Sequence, residues 1–156
     1  MLTSSQAQLL AAGIKAEVTQ SVKDALAVRD DYTLTLWVNT SSTQDAWNAV
    51  MQKRDLFEAT DITNFDTLTA GKREAWGLML DNTPLDMSRN KMRKAAVDVW
   101  GNTLSVVVLQ SCLRKATNGE VYIGGSSATT NTVTGLNLKF AGNITIDDVS
   151  MALNNY

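Results

Sequence analysis

Apolar positions recur at helical spacing through the first two-thirds of the chain and give way to short alternating runs in the last quarter. Ser4 or Ser5 caps a first helix through Ala12, which Gly13 ends. Lys15 to Arg29 sets Val18, Val22, Ala25 and Ala27 or Val28 along one face of a second helix. Asp30-Asp31 stops that helix and restarts the next, two acids complementing a helix N-terminus. Tyr32 to Val38 fits a strand or a short helix, and helix is preferred because a lone strand has no partner nearby. Thr40 to Thr43 reads as a polar linker. From Thr43 a further helix turns Trp47, Val50 and Met51 inward, and Asp55 to Ala59 adds a turn around Leu56 and Phe57.

The most regular stretch runs from Thr67 to Asp81, where Leu68, Ala75, Trp76, Met79 and Leu80 share a face. Pro84, the only proline, stops it. Ser88 caps a helix whose buried stripe is Met92, Ala95, Ala96, Val99 and Trp100, with Arg89, Lys91, Arg93 and Lys94 toward water, and Gly101 ends it. Trp76 and Trp100 are thus predicted to anchor a helix hairpin. Leu104 to Lys115 is read as a third helix, although Val106-Val107-Val108 also suits a strand. Beyond Thr117 the pattern predicts a strand at Val121 to Ile123, a loop from Gly124 to Asn131, and a strand from Val133 to Phe140. Thr145 with Asp148 then forms a capping box for a last helix through Leu153. The expected fold is α+β and mainly α. A helical bundle over 1–117 carries a β-hairpin extension and short terminal helix over 118–156, one domain overall.

Composition narrows the chemistry. The 156 residues include no histidine and a single cysteine, Cys112, which removes the commonest general base, the commonest metal ligand and every Ser-His or Cys-His pair. No catalytic, cofactor-binding or metal-ligating residue is assigned. Fourteen basic and sixteen acidic residues give a net charge of −2, so no basic surface for nucleic acid is evident. The longest strongly apolar run, Val106 to Leu109, is too short for a membrane span. The N-terminus lacks the basic and apolar regions of a secretory signal, so a reducing cytoplasm is expected.

Short motifs read as structure. Ala70-Gly71-Lys72-Arg73 lacks the first glycine and the hydroxyl residue of a phosphate loop. Gly124-Gly125-Ser126-Ser127 suits a hairpin loop better than an anion nest. Asp147-Asp148 suits capping better than a metal. The cations between Arg89 and Lys94 form a solvated face or meet an acidic partner. An enzyme built on carboxylates alone, for example Glu74 with Asp98 or Asp81, requires a cleft that the pattern does not reveal.

Several segments together resemble a family: Asp55 to Thr60, Leu68 to Trp76, Asn90 to Arg93 with Val99-Trp100-Gly101, and the tail from Ala116 to Leu153. They look like small virion-assembly proteins of tailed bacteriophages, most like a head-to-tail connector or adaptor subunit of the neck. The resemblance implies a non-enzymatic subunit of a homo-oligomeric ring that meets the portal and other neck or tail proteins. Its place is the virion, and the host cytoplasm during assembly. It brings no catalytic residues. The tail is too poor in apolar surface to stand alone as a sheet, so Val121 to Phe140 is expected to order against a neighbouring chain. The candidate contact residues are Tyr122, Gly124, Gly125, Leu136, Leu138, Phe140 and Tyr156. Two other readings stay open: another phage structural protein (capsid accessory, collar or tail component), or a small host-directed binding module.

Overall fold

Thr3 opens α1 (Ser4–Ala16): its hydroxyl accepts the Gln6 N–H while the Gln6 side chain accepts the Thr3 N–H. The structure, a computed structural model, describes residues 1–156. Gly13 does not end α1. A β-carbon there would lie 2.3 Å from the Tyr122 ring, so this glycine serves close packing. α2 (Gln20–Ala27) buries Val22 and Ala25. Val18 and Val28, expected on the same face, flank the helix instead and are each 77% exposed. Asp30 caps α3 (Asp31–Val38) by accepting from the Thr33 N–H and hydroxyl.

The chain divides into two compact units, one formed by Met1–Gln44, Lys115–Ser126 and Leu138–Tyr156, the other by Asp45–Arg114 and Ser127–Asn137. In the first, the apolar faces of α1 and α3 meet α8 (Asn118–Ile123) and α9 (Ile146–Asn155) around Leu10, Ile14, Leu34, Val38, Ile123, Ile144 and Val149. Asn39 pins this arrangement from both ends of its amide, accepting from the Ile144 N–H at 2.9 Å and donating to the Ile144 carbonyl at 2.8 Å. The expected Thr145/Asp148 capping box forms, and Asp148 also accepts the Leu2 N–H at 2.9 Å.

The second unit contains α4 (Lys53–Glu58), α5 (Ile62–Asp66), α6 (Ala70–Asp81) and α7 (Asn90–Ser111). Gly101 takes the expected positive φ of 74°, but the helix resumes directly after it, so the glycine marks a break rather than an end. Trp76 and Trp100 are buried and meet edge to face, centroids 5.4 Å apart at 83°, with Phe65 against Trp100 at 6.1 Å.

Four strands, β1 (Ser41–Trp47), β2 (Leu113–Thr117), β3 (Gly125–Thr130) and β4 (Val133–Leu138), form one sheet in the order β2-β1-β4-β3. β1 and β4 are parallel, with Ala46 opposite Leu136. β1 and β2 run antiparallel, the Asn48 N–H reaching the Cys112 carbonyl at one end and the Asn118 N–H the Thr40 carbonyl at the other.

This sheet overturns the expected bundle with a hairpin extension. The stretch from Ser41 to Trp47 is neither linker nor helix start; it is a strand lying between β2 and β4. Leu104 to Lys115 is helical only to Ser111 and then turns into β2. Val121 to Ile123 is helical, because Thr117 and Glu120 close a capping box at the start of α8. The expected loop from Gly124 to Asn131 is largely β3, joined to β4 by Asn131-Thr132 with φ of 52° and 68°, the handedness of a two-residue hairpin turn. The hairpin therefore pairs with β1 of its own chain.

Burial of the Trp76–Trp100 pair leads to a quantitative expectation. Trp100→Ala should lower stability by about 3–5 kcal/mol in chemical denaturation, as removal of a packed indole does, whereas Val28→Ala should leave it unchanged.

Candidate functional site

Tyr122, the first of the expected contact residues, faces inward. Its ring packs against Gly13, and its hydroxyl donates to Glu17 Oε2 at 2.5 Å while accepting from Trp37 Nε1 at 3.1 Å. The other Glu17 oxygen accepts from the Val18 and Thr19 N–H groups and the Thr19 hydroxyl. Together these donors, the tyrosine foremost, hold the Glu17 carboxyl down at about 2. Burial, reinforced by the glutamate, pushes the Tyr122 phenol up to about 12.

The remaining contact candidates scatter along the same tail. Gly124 ends α8 at φ 96°, and its carbonyl accepts the Lys139 N–H. Gly125 begins β3. Leu136 sits in β4 opposite Ala46, and Leu138 ends that strand half-buried. Phe140 packs against the core of the first unit, and Tyr156, beyond α9, is exposed.

A residue placed in water by the sequence pattern is in fact at the centre of the second unit. Arg93 is 1% exposed. Its Nη1 donates to the Met87 and Ser88 carbonyls, both at 2.7 Å, and to Asn137 Oδ1 at 3.3 Å, while Nε donates to Thr130 Oγ1 at 3.3 Å. The guanidinium stacks over Trp47, 4.7 Å from the ring centroid. No carboxylate lies within ion-pair distance of it. Burial lowers its pKa, and Asp86 opposes that. Gly135 makes the stack possible, since a β-carbon there would press on the indole at 3.0 Å. The periodic signal was present: Arg93, Ala96 and Trp100 are three and four residues apart, one buried stripe. Of the supposed basic face, Arg89 pairs with Asp86 at 2.9 Å, leaving Lys91 and Lys94 exposed.

Apolar surface collects elsewhere in this unit. Phe57 and Ile62, each more than half exposed, border a small hollow of about 70 Å³ closed below by Phe65, Trp76 and Leu80. The Trp76 N–H is bonded to Thr60 Oγ1, so nothing polar faces this hollow from the tryptophan.

The carboxylates considered for acid-base work lie at the surface. Glu74, Asp81 and Asp98 are exposed, and Asp81 is paired with Lys53 at 2.6 Å. No group of three or more acidic or cysteine side chains gathers to hold a metal ion. Cys112 is buried, its thiol pushed up to about 11 by desolvation. Compared with known proteins, the chain matches no family model, no curated protein and no solved structure.

The Glu17–Tyr122 bond generates a pH-dependent expectation. Because the folded-state pKa of Glu17 is depressed, its contribution to stability is present above about 4.5 and is lost as pH falls toward about 2. Tyr122→Phe removes the main cause, so carboxyl NMR should find the Glu17 titration moved upward from about 2 toward 4.5. An unmoved titration would show that the backbone donors suffice.

Proposed function

We propose that the chain is a non-enzymatic structural subunit of a tailed-phage virion, assembling into a ring at the head-tail interface as a connector or adaptor. The resemblance in the segments around Asp55, Leu68, Asn90 and the tail supports this reading, as does a set of side chains without histidine.

The observation that carries it is the free edge of β3. The two-residue turn at Asn131-Thr132 and the Lys139 N–H bonded to the Gly124 carbonyl at 3.2 Å set one register along the hairpin. In it, Thr130, Ala128 and Ser126 bond to β4, whereas Ser127 and Thr129 direct their backbone groups outward. β3 is the last strand of the sheet. An edge of this kind accepts a strand or loop from a neighbour, and a ring supplies one such neighbour to every subunit at a fixed angle.

A second reading, a host-directed binding module, is favoured by the hollow between Phe57 and Ile62, because exposed apolar surface beside a packed aromatic core suits a protein partner. The two differ in oligomeric state. Light scattering on the ring subunit should give a multiple of the 17.0 kDa chain, and particle imaging should place it at the neck. Ser127→Pro removes one outward N–H without touching the β4 ladder. It should leave the fold intact while abolishing assembly and incorporation into virions. A native monomer would favour the binding module, and a Ser127→Pro protein that assembles normally would exclude the β3 edge as the interface.

A further inference from the structure

The second unit contains an open cleft of about 300 Å³ between α7 and the tip of the β3–β4 hairpin. One wall is helical: Asn90, Lys94 and Val97 follow one another at spacings of four and three, along one side of α7, and Asn102 stands just after the break at Gly101. The other wall is the end of β3 and its turn, Thr129 to Asn131.

The two walls are fastened together. Asn131, held at φ 52°, donates through Nδ2 to the Asn102 carbonyl and to Ser105 Oγ, the latter at 2.7 Å. The cleft is therefore preformed, and its volume is at the lower end of the range for small-ligand pockets.

Its polar lining includes the Lys94 ammonium and the Thr130 hydroxyl as donors. Lys94 makes no ion pair, Asp98 one turn further on included. Thr130 Oγ1 accepts from Arg93 Nε, which leaves its hydroxyl proton to point elsewhere and polarises it. The buried guanidinium that does this has no carboxylate of its own. No acidic residue lines the cleft. One lysine without an ion pair lines the cavity, a buried guanidinium stands behind Thr130, and together they make a site for negative charge.

We propose that this cleft binds a small organic anion, its phosphate or carboxylate group held by Lys94 and the Thr130 hydroxyl and its body lying against Val97. The cleft adjoins the β3 edge invoked for assembly at Thr129 but takes its charge from α7. Its ligand is a small molecule.

The test is an NMR titration of the intact protein with two probes, inorganic phosphate and citrate, against sodium chloride at matched ionic strength. The side-chain amides of Asn90 and Asn102 should shift and saturate. Saturation by phosphate assigns the phosphate chemistry, and saturation by citrate alone assigns the carboxylate. Lys94→Gln, at an exposed position that folding does not require, should raise Kd about tenfold or more, as loss of a charge-assisted hydrogen bond does. Lys91→Gln, outside the cleft, should leave Kd unchanged. Absence of a saturable shift with either probe overturns the proposal, as do equal shifts with chloride or a Kd indifferent to Lys94.

Discussion

Burying a guanidinium without a carboxylate is costly, and the second unit is arranged so that Arg93 escapes most of that cost. Carbonyls at Met87 and Ser88, a hydroxyl at Thr130 and an amide at Asn137 take its protons, and the face of Trp47 takes its charge. These partners come from the turn before α7 and from three different strands. A β-carbon at Gly135 would meet Leu113 at 2.7 Å and the indole beneath the arginine at 3.0 Å. One interaction thus sets the register of the hairpin against the helix, the rotamer of a buried tryptophan and the shape of the cleft beside Thr130.

Several carboxylates of this protein hold backbone amides. Asp30, Asp61, Glu120 and Asp148 each accept from N–H groups near a helix start. Glu120, 1% exposed, also takes the Gly142 N–H, so a buried acid is satisfied by main chain and closes the turn that follows β4. Acids engaged in this way stabilise helix ends and are poor candidates for proton transfer.

What could be read in the sequence was local. Caps at Asp30 and Thr145, the positive φ of Gly101, the helical state of Tyr32 to Val38 and the burial of Trp76 and Trp100 all follow from neighbours within one or two turns. The sheet could not be read, because β1 buries only Ala46 and Trp47 and has no alternation, and its partners lie some seventy and ninety residues further along the chain. Its strand state depends on those partners. The hairpin turn was hidden for a different reason: Asn131-Thr132 places a β-branched residue where glycine is usual, and the fastening of Asn131 to α7 compensates. The contact residues proposed from the tail are distributed by the fold between packing roles and the surface. The cleft beside Lys94 joins residues about thirty-five positions apart and has no linear signature.

The first unit is assembled from three separated stretches of chain, and its core mixes Leu10 and Ile14 with Ile144, Val149 and Leu153. During synthesis the apolar face of α1 is made before the residues of α8 and α9 that cover it, which follow more than a hundred positions later. Contacts of such long sequence separation form slowly, since a large loop must close first. The nascent chain therefore carries an uncovered helical face until those residues emerge, and shielding of α1 on or near the ribosome becomes part of what sets the yield of folded protein.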